Sequence, residues 1–357
     1  MKKKKKILII ILIVITIIIS AFFVVNYYVD SLLNNINEEE KIDENELEIN
    51  VNDNNDEEIE IPHDVLNIMI IGADNLDEED RYSSYVEERS DVLKLLSLDY
   101  TDKEIKLTSI DRDVVIYLPG TTREYGRFNW AYSFGGSKLA LQTINYNLDL
   151  DVKDYVTFSF AGFIKVIDIL GGVDIEITKK EADAFNDLVD SNAIMRIHAV
   201  EGVNHLDGYD ALEYVRLRRI DSDFNRMERQ NKLIKAVVTK LKDSSVTDLL
   251  NIVSKCLPYI NTNLTSDEIK GLLVDFVQFD LGNINTYSYP KNGSEDVCIN
   301  KDSMGGYIVR DYSQQVIDLH EFIYEIDDYK PSDVVMNVEK NIYSKYGDFY
   351  EDSPMIP

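Results

Sequence analysis

Arginine is concentrated in one short stretch of this chain, where five arginines lie within fourteen residues although the protein has a formal net charge of -28. A planar, permanently charged guanidinium suits the binding of phosphate oxygens in pairs. Arg216 and Arg218 point in the same direction if the chain is extended there. Arg226 and Gln230 share one face of a helix that begins near Asp223. The pattern predicts an anion site, and the alternative is a solvated face with salt bridges to nearby carboxylates.

Two further clusters combine arginine with aspartate next to predicted strands. Residues 89–91 (Arg-Ser-Asp) precede the second predicted strand, and residues 111–113 (Asp-Arg-Asp) follow the third. If these strands form a hairpin, its open end brings the two clusters together, and the end of the first strand could add Asp74. Carboxylates beside arginines can hold a divalent cation and the phosphates that it bridges. The alternative for each pair is a structural ion pair.

Hydrophobic patterning indicates the elements that would position these side chains. Strands are predicted at 65–71, 92–98, 105–110, 173–177 and 283–289, with the second and third forming a hairpin. Helices are predicted at 137–147, 159–170, 208–214, 227–242 and 266–276. Strands interspersed with helices predict the α/β class, here a central mixed β-sheet flanked by helices.

The N-terminus has the pattern of a membrane anchor. Lys2 to Lys6 precede an apolar run from Ile7 to Val25, close to the roughly 20 residues that a helix needs to cross a bilayer. Lysines before the run and acidic residues after it predict a single-pass protein of the cell membrane, with a cytoplasmic N-terminus and an extracellular domain. A cleaved signal peptide is the alternative, but its apolar core is usually only about 7–15 residues long.

Composition excludes several other classes of site. The acidic charge argues against nucleic acid as a partner. The two cysteines, Cys256 and Cys298, have no metal-ligand spacing and allow either one bridge or two thiols. The four histidines lack zinc spacing and are interpreted as surface or loop residues, and no nucleotide-binding glycine motif is present. Residues 37–62 are so acidic and so poor in apolar groups that they predict a disordered spacer.

Taken in order, the motifs resemble those of the LytR-CpsA-Psr family. The resemblance runs from about Val65 to Lys242, and the series is specific although no single motif is. It rests on Asn67-Ile68-Met69-Ile70-Ile71-Gly72-Ala73-Asp74, Arg89-Ser90-Asp91, Ser109-Ile110-Asp111-Arg112-Asp113, Arg127-Phe128-Asn129-Trp130-Ala131-Tyr132, Gly135-Gly136, Val166-Ile167-Asp168, Gly171-Gly172-Val173, Leu206-Asp207-Gly208, Arg216-Leu217-Arg218 and residues 226–230.

The resemblance implies an α-β-α catalytic domain and an activity. The expected division is cytoplasmic lysines and a transmembrane helix at 1–29, an acidic extracellular linker at 30–63, the catalytic domain at 64–328 with its best match at 65–242, and a C-terminal tail at 329–357. Members are membrane-anchored phosphotransferases of cell wall biogenesis. They transfer a glycopolymer, such as wall teichoic acid or capsule, from undecaprenyl diphosphate to peptidoglycan and release undecaprenyl phosphate. A non-catalytic polyprenyl-phosphate-binding regulator and a lipid diphosphatase remain the alternatives.

The resemblance also implies roles for individual residues. The expected diphosphate-binding side chains are Arg89, Arg112, Arg127, Arg216, Arg218, Arg226 and Gln230. Asp74 and Asp91 are expected beside Mg²⁺ and, with Arg112, form the expected catalytic set. Arg127 stands where the family more often has lysine, and Asp111 stands where it commonly has proline. That additional carboxylate would either face solvent or alter the site.

A polyprenyl tail also requires a long apolar slot. The predicted helix at 159–170 could form one wall of it, through Phe160, Phe163, Val166, Ile167 and Leu170. Ordinary core packing is the alternative for most of these residues. The identity of the glycopolymer, the acceptor hydroxyl, the catalytic base and the oligomeric state are left open by the sequence.

Overall fold

The computed structural model of the chain describes residues 29–33, 37–50, 64–73, 90–191, 197–217, 223–242, 244–291, 297–299 and 306–346. The predicted membrane span at 7–25 lies outside these residues, and so do Asp74, Arg89 and Arg218. Among the residues that the structure describes, none of the helices combines the length and the apolar character required to cross a bilayer.

A mixed β-sheet forms the centre of the domain, as predicted. Within the described residues, its strands are β1 Asn37–Glu38, β2 Val65–Ala73, β3 Ser90–Asp99, β4 Glu104–Ile110, β7 Asp154–Ser159, β10 Ile260–Thr262 and β11 Ile284–Tyr289. Their order in the sheet is β1-β10-β7-β2-β3-β4-β11, with parallel pairs β1–β10, β7–β2 and β4–β11 and antiparallel pairs between the others. Three two-stranded sheets accompany it: β5 Val115–Tyr117 with β6 Tyr125–Arg127, β8 Val173–Ile177 with β9 Gly202–Leu206, and β12 Val297–Ile299 with β13 Tyr307–Val309. The predicted β3–β4 hairpin is therefore confirmed.

Helices cover both faces of the central sheet. They are α1 Asn129–Leu148, α2 Phe160–Ile169, α3 Lys179–Ser191, α4 Gly208–Val215, α5 Asp223–Leu241, α6 Val246–Cys256, α7 Ser266–Phe276, α8 Tyr312–Tyr324 and α9 Asp333–Tyr346. Alternation along β2 sends Met69 and Ile71 into a core with α1, α8 and α9, while Ile68 packs toward α6 and α7 on the other face. The α-β-α architecture matches the prediction.

The glycine pair separates two helical segments within α1. Gly135 and Gly136 both have non-helical backbones, and Gly136 has φ 62°, a conformation that favours glycine. The predicted helix start directly after this pair is therefore confirmed for the second segment. The first segment, which begins at Asn129, was not predicted.

The acidic segment before β2 is in part ordered, in contrast to the spacer that its composition predicts. Strand β1 pairs with β10 at the edge of the central sheet. Leu47 is fully buried in the core beneath α1, and Asn145 donates to its carbonyl oxygen. Lys138 and Lys153 form ion pairs with carboxylates of this segment. Buried Leu47, the partly buried Ile42 and Ile49, and the two lysines therefore hold residues 37–50 against the domain. Residues 51–63 lie outside the described residues.

The C-terminal region also contributes to the core. Residues 329–346 were expected in a tail, but Val335, Val338 and Ile342 of α9 are buried against α1 and β5. The interpretation of all four histidines as surface or loop residues is wrong for His320, which is 4% exposed in α8. The helical period of α8 directs His320 inward. There its ring stacks on the Tyr329 ring, with 3.7 Å between the two ring centres.

Buried His320 is expected to make stability depend on acid pH. Burial lowers the pKa of His320 to about 4, against an ordinary value near 6.5. The unfolded chain therefore binds more protons between these values, so stability is lost as the pH falls from about 6.5 to about 4, by up to about 3 kcal/mol. Urea unfolding of the parent and of His320→Phe at both pH values measures the effect. Equal losses in the two proteins would contradict it.

Candidate functional site

The open end of the β3–β4 hairpin forms an ionic cluster. The Arg112 guanidinium donates to the Asp91 carboxylate, and its Nε lies 3.4 Å from Asp113 Oδ2. Arg127 Nη1 lies 3.0 Å from the other oxygen of Asp113. Each of these four side chains is only 11–20% exposed. The two sequence clusters are therefore brought together, as predicted, with Arg127 added from β6.

A β-bulge directs Asp91 into this cluster. The β2–β3 register pairs Gly72 with Val92 but Ala73 with Ser90, so Asp91 is the additional residue on its strand. Bulges of this kind locally bend a strand and are frequent next to active sites, where they redirect a side chain. The acidic side chain therefore leaves the regular alternation of β3 and lies beside Arg112.

Helix α5 places Arg226 and Gln230 over the same cluster. The prediction that a helix beginning near Asp223 aligns them is confirmed, and both are buried, at 4% and 8% exposure. They line one small cleft with Asp91, Arg112 and Asp111. The Asp111 side chain, which could have faced solvent, is buried there and accepts a hydrogen bond from the Asp113 backbone at 2.8 Å.

Arg216 reaches the site from the end of α4, and the extended conformation considered for it is wrong. It is the C-terminal cap of that helix, with its backbone in the right-handed helical region, because its N–H donates to carbonyl oxygens of the last turn, including that of Leu212. Its guanidinium lies 4.6 Å from the Phe160 ring centre and 3.6 Å from Glu213. The arginine therefore occupies the mouth of the cavity described next, while Arg218 lies outside the described residues.

An apolar cavity of about 330 Å³ opens beside these charged groups. Asp91, Arg216, Arg226 and Gln230 form its polar rim, and the remaining lining is apolar. Four residues of α2 that were considered as a lipid wall do line it, namely Phe160, Phe163, Val166 and Ile167. The fifth, Leu170, is not among the lining residues and packs in a core with β8 and β9.

A second apolar cavity extends the first one along the sheet. It has a volume of about 320 Å³ and shares Ile70, Ile234 and Val238 with the first. Its other walls come from β3, β4, α6 and α7. A long apolar slot with arginines at one end can bind an amphiphile with an anionic head.

Part of the slot comes from residues that the sequence analysis did not single out. Leu233, Ile234, Val237 and Val238 of α5 line it on the face that follows Arg226 and Gln230. The helical period would have predicted them, since apolar residues at these spacings share a helix face with Arg226 and Gln230. One helix thus supplies both the head-binding and the tail-binding groups.

The described residues can contribute to a magnesium site but do not complete one. Asp91 offers a hard oxygen ligand beside Arg112, and Asp111 lines the same cleft. Among the described residues, the three-carboxylate group close enough to share a metal is Asp99, Asp102 and Glu325, at the other end of β3. Mg²⁺ commonly uses one or two carboxylates plus phosphates and water, so the donor type at Asp91 fits.

Several known proteins are similar to this chain in sequence. The LytR_cpsA_psr family matches residues 24–318. The polyisoprenyl-teichoic acid--peptidoglycan teichoic acid transferase TagV of Bacillus subtilis is 32% identical over 204 residues, which cover 56% of this chain and 51% of that protein. The matches to three such transferases cover 51%, 65% and 63% of their lengths, so the chain spans about half to two thirds of them.

Solved structures show the same fold. The crystal structure of B. subtilis TagV is 26% identical, with a TM-score of 0.56 and coverage of 75% of this chain and 98% of that one. A LytR-CPS2A-psr family protein, YwtF (TagT) with bound octaprenyl pyrophosphate lipid, is 20% identical, with a TM-score of 0.51 over 83% of this chain and 96% of that one. Since the family match spans most of the sequence and the α-β-α fold agrees, this chain is a member of the LytR-CpsA-Psr family.

Proposed function

We propose that this protein is a phosphotransferase that moves a glycopolymer from an undecaprenyl diphosphate carrier to peptidoglycan. One observation carries the proposal: a long apolar slot ends at Arg216, Arg226 and Gln230, next to the Asp91–Arg112 pair. The slot suits a polyprenyl tail, and the guanidinium groups suit the diphosphate. The glycopolymer is a wall teichoic acid or a capsule-like polymer.

The similar proteins support this assignment. Three of them are named polyisoprenyl-teichoic acid--peptidoglycan teichoic acid transferases, whereas another relative is named regulatory protein MsrR. A structure of the same fold carries an octaprenyl pyrophosphate lipid. A lipid of that chemistry matches the two ends of the slot in this chain.

The reaction transfers a phosphoryl group between two oxygens. An acceptor hydroxyl of peptidoglycan attacks the phosphorus next to the glycan and forms a phosphodiester. The bond from that phosphorus to the bridging oxygen breaks, and undecaprenyl phosphate leaves with the bridging oxygen. The proton of the hydroxyl passes to a carboxylate, and among the residues that the structure describes Asp91 is the candidate for this base.

The described residues stabilise the charge that develops in this step. Arg112, Arg216 and Arg226 are placed to neutralise the diphosphate oxygens as the bridging bond breaks, and Arg127 holds Asp113 beside them. Arg89 and Arg218 are assigned to the same diphosphate by their motif positions. Mg²⁺, held by Asp91 and Asp74, would add charge neutralisation of the leaving phosphate.

The proposed location follows from the N-terminal sequence. Lys2 to Lys6 and the apolar run at 7–25 are assigned to a signal anchor of the cell membrane with a cytoplasmic N-terminus. The catalytic domain then lies outside the cell, where both the membrane-bound carrier and peptidoglycan are accessible. The acidic composition is consistent with no nucleic-acid partner.

A transfer assay with the purified full-length protein tests the proposal. The substrate is a lipid-diphosphate-linked glycan, supplied with and without peptidoglycan oligomers. We expect a glycan–peptidoglycan product and polyprenyl phosphate only when the oligomers are present. Release of polyprenyl phosphate without oligomers would indicate a diphosphatase, and binding without release in either condition would indicate a regulatory protein.

A further inference from the structure

A buried lysine lies between the two strand residues Val92 and Leu96 that line the apolar slot. Lys94 is fully buried, on the face of β3 that directs Val92 and Leu96 into the two cavities. Burying an ammonium group is costly unless polar partners surround it. Its Nζ lies 2.6 Å from both Ser109 Oγ and Asn231 Oδ1. These contacts join strands β3 and β4 to helix α5.

The partners of Lys94 on α5 directly follow the anion-binding residues. Nζ also lies 3.4 Å from the carbonyl oxygen of Met227, the residue after Arg226. Asn231 is the residue after Gln230. Two contacts one helical turn apart fix both the rotation of α5 and its position along its axis. An α5 rotated or shifted from this position would move Arg226 and Gln230 away from Asp91 and Arg112.

We propose that Lys94 is a positioning residue for the anion site: it holds α5 so that Arg226 and Gln230 contact the diphosphate. The charge of Lys94 is in turn linked to binding of the diphosphate at that site. The inference rests on the proposed function, since it takes a polyprenyl diphosphate as the ligand. Lys94 itself is buried and does not contact the ligand.

The charged surroundings of Lys94 explain the linkage. Burial, with Arg226 nearby, lowers its pKa to about 7, while Glu228 acts in the opposite direction. The neighbours from the strands are uncharged, namely Ser109 on β4 and Ile70 opposite on β2, and Asp91 lies three residues earlier on its own strand. A diphosphate bound at Arg226 adds negative charge nearby and so favours protonated Lys94.

The second buried lysine of the same hairpin provides a matched control. Lys106 on β4 is 2% exposed and forms ion pairs with Asp99 at 3.2 Å and Glu325 at 2.8 Å. It also donates to the carbonyl oxygen of Ile323 in α8, on the opposite face of the sheet from α5. Replacing it removes a buried ammonium of the same strand pair without touching α5.

Calorimetric titration of the full-length protein in detergent micelles with geranylgeranyl diphosphate tests the proposal. We expect Lys94→Met to weaken binding at least about tenfold, since it removes both hydrogen bonds that hold α5 in position. Lys106→Met should lower the melting temperature but leave affinity unchanged. At pH 7.5, titrations in two buffers of different ionisation enthalpy should show that the parent takes up more protons on binding than Lys94→Met.

Equal affinity, or equal proton uptake, in the parent and a folded Lys94→Met would overturn this inference alone. Failure of the parent to bind the lipid would overturn the proposed function as well. If Lys94→Met does not fold, Asn231→Ala decides the matter, because it keeps the lysine and removes its partner on α5. Weaker binding by Asn231→Ala supports the positioning role, and parental affinity overturns it.

Discussion

Asp91→Asn is expected to reduce glycan transfer by about 10²–10⁴-fold, the usual contribution of a positioned acid or base. The asparagine amide cannot accept the proton of the acceptor hydroxyl, and it loses the ion pair with Arg112. Binding of the polyprenyl diphosphate should persist, because Arg216, Arg226 and Gln230 remain. Initial transfer rates and lipid affinity, measured on the same preparations, separate the two effects.

A matched aspartate serves as the control for this substitution. Asp174 on β8 is 69% exposed and pairs with His205, outside the cavity lining. Asp174→Asn should transfer at the parental rate. A transfer rate of Asp91→Asn close to that of Asp174→Asn would refute the catalytic role of Asp91.

Arg226→Ala is expected to weaken polyprenyl diphosphate binding by about 2–5 kcal/mol, the range for truncating one member of a buried charge pair. Arg226 is buried at the junction of the apolar slot and the Asp91 cleft, so solvent screens its interaction with the diphosphate little. Arg216→Ala should cost less, because the Arg216 side chain is 40% exposed and screened by water. Calorimetric titration of each variant with the lipid measures both costs.

A charge-matched variant on the same helix controls for electrostatics at a distance. Lys232 of α5 is 40% exposed and forms an ion pair with Glu181 at 3.2 Å rather than lining the slot. Lys232→Ala removes the same formal charge and should bind the lipid as the parent does. If Lys232→Ala and Arg226→Ala lose affinity equally, a general loss of positive charge, and not a contact of Arg226, explains the effect.

The sequence predicted those parts of the site that depend on local periodicity. Arg226 and Gln230 align because four residues complete about one helical turn, and the β3–β4 hairpin brings residues 89–91 and 111–113 to the same end of the sheet. Strands β2, β3, β4 and β11 were recognisable because their apolar or alternating runs are bounded by turn residues, whereas β1, β7 and β10 of the same sheet were not predicted. The family motifs then indicated that a diphosphate is the ligand of these side chains.

Features that depend on tertiary contacts were not predictable in the same way. The bulge at Asp91 exists only in the pairing of β2 with β3, and the burial of Lys94 requires α5 to lie across β3 and β4. Residues 37–50 are ordered through an edge strand and through lysines that are distant in sequence, which composition averaged over the segment does not reveal. Arg216 ends a helix rather than being extended because its backbone N–H donates to carbonyl oxygens in the last turn of α4.

The fate of the phosphorus next to the glycan tests the central claim most directly. A lipid-linked glycan labelled with ³²P at that position is incubated with the full-length protein and peptidoglycan oligomers. The proposed transfer predicts label in a phosphodiester between glycan and peptidoglycan, together with unlabelled polyprenyl phosphate. Label recovered as soluble glycan phosphate, or retained entirely in the lipid, would contradict the assignment of this protein as a glycopolymer–peptidoglycan phosphotransferase.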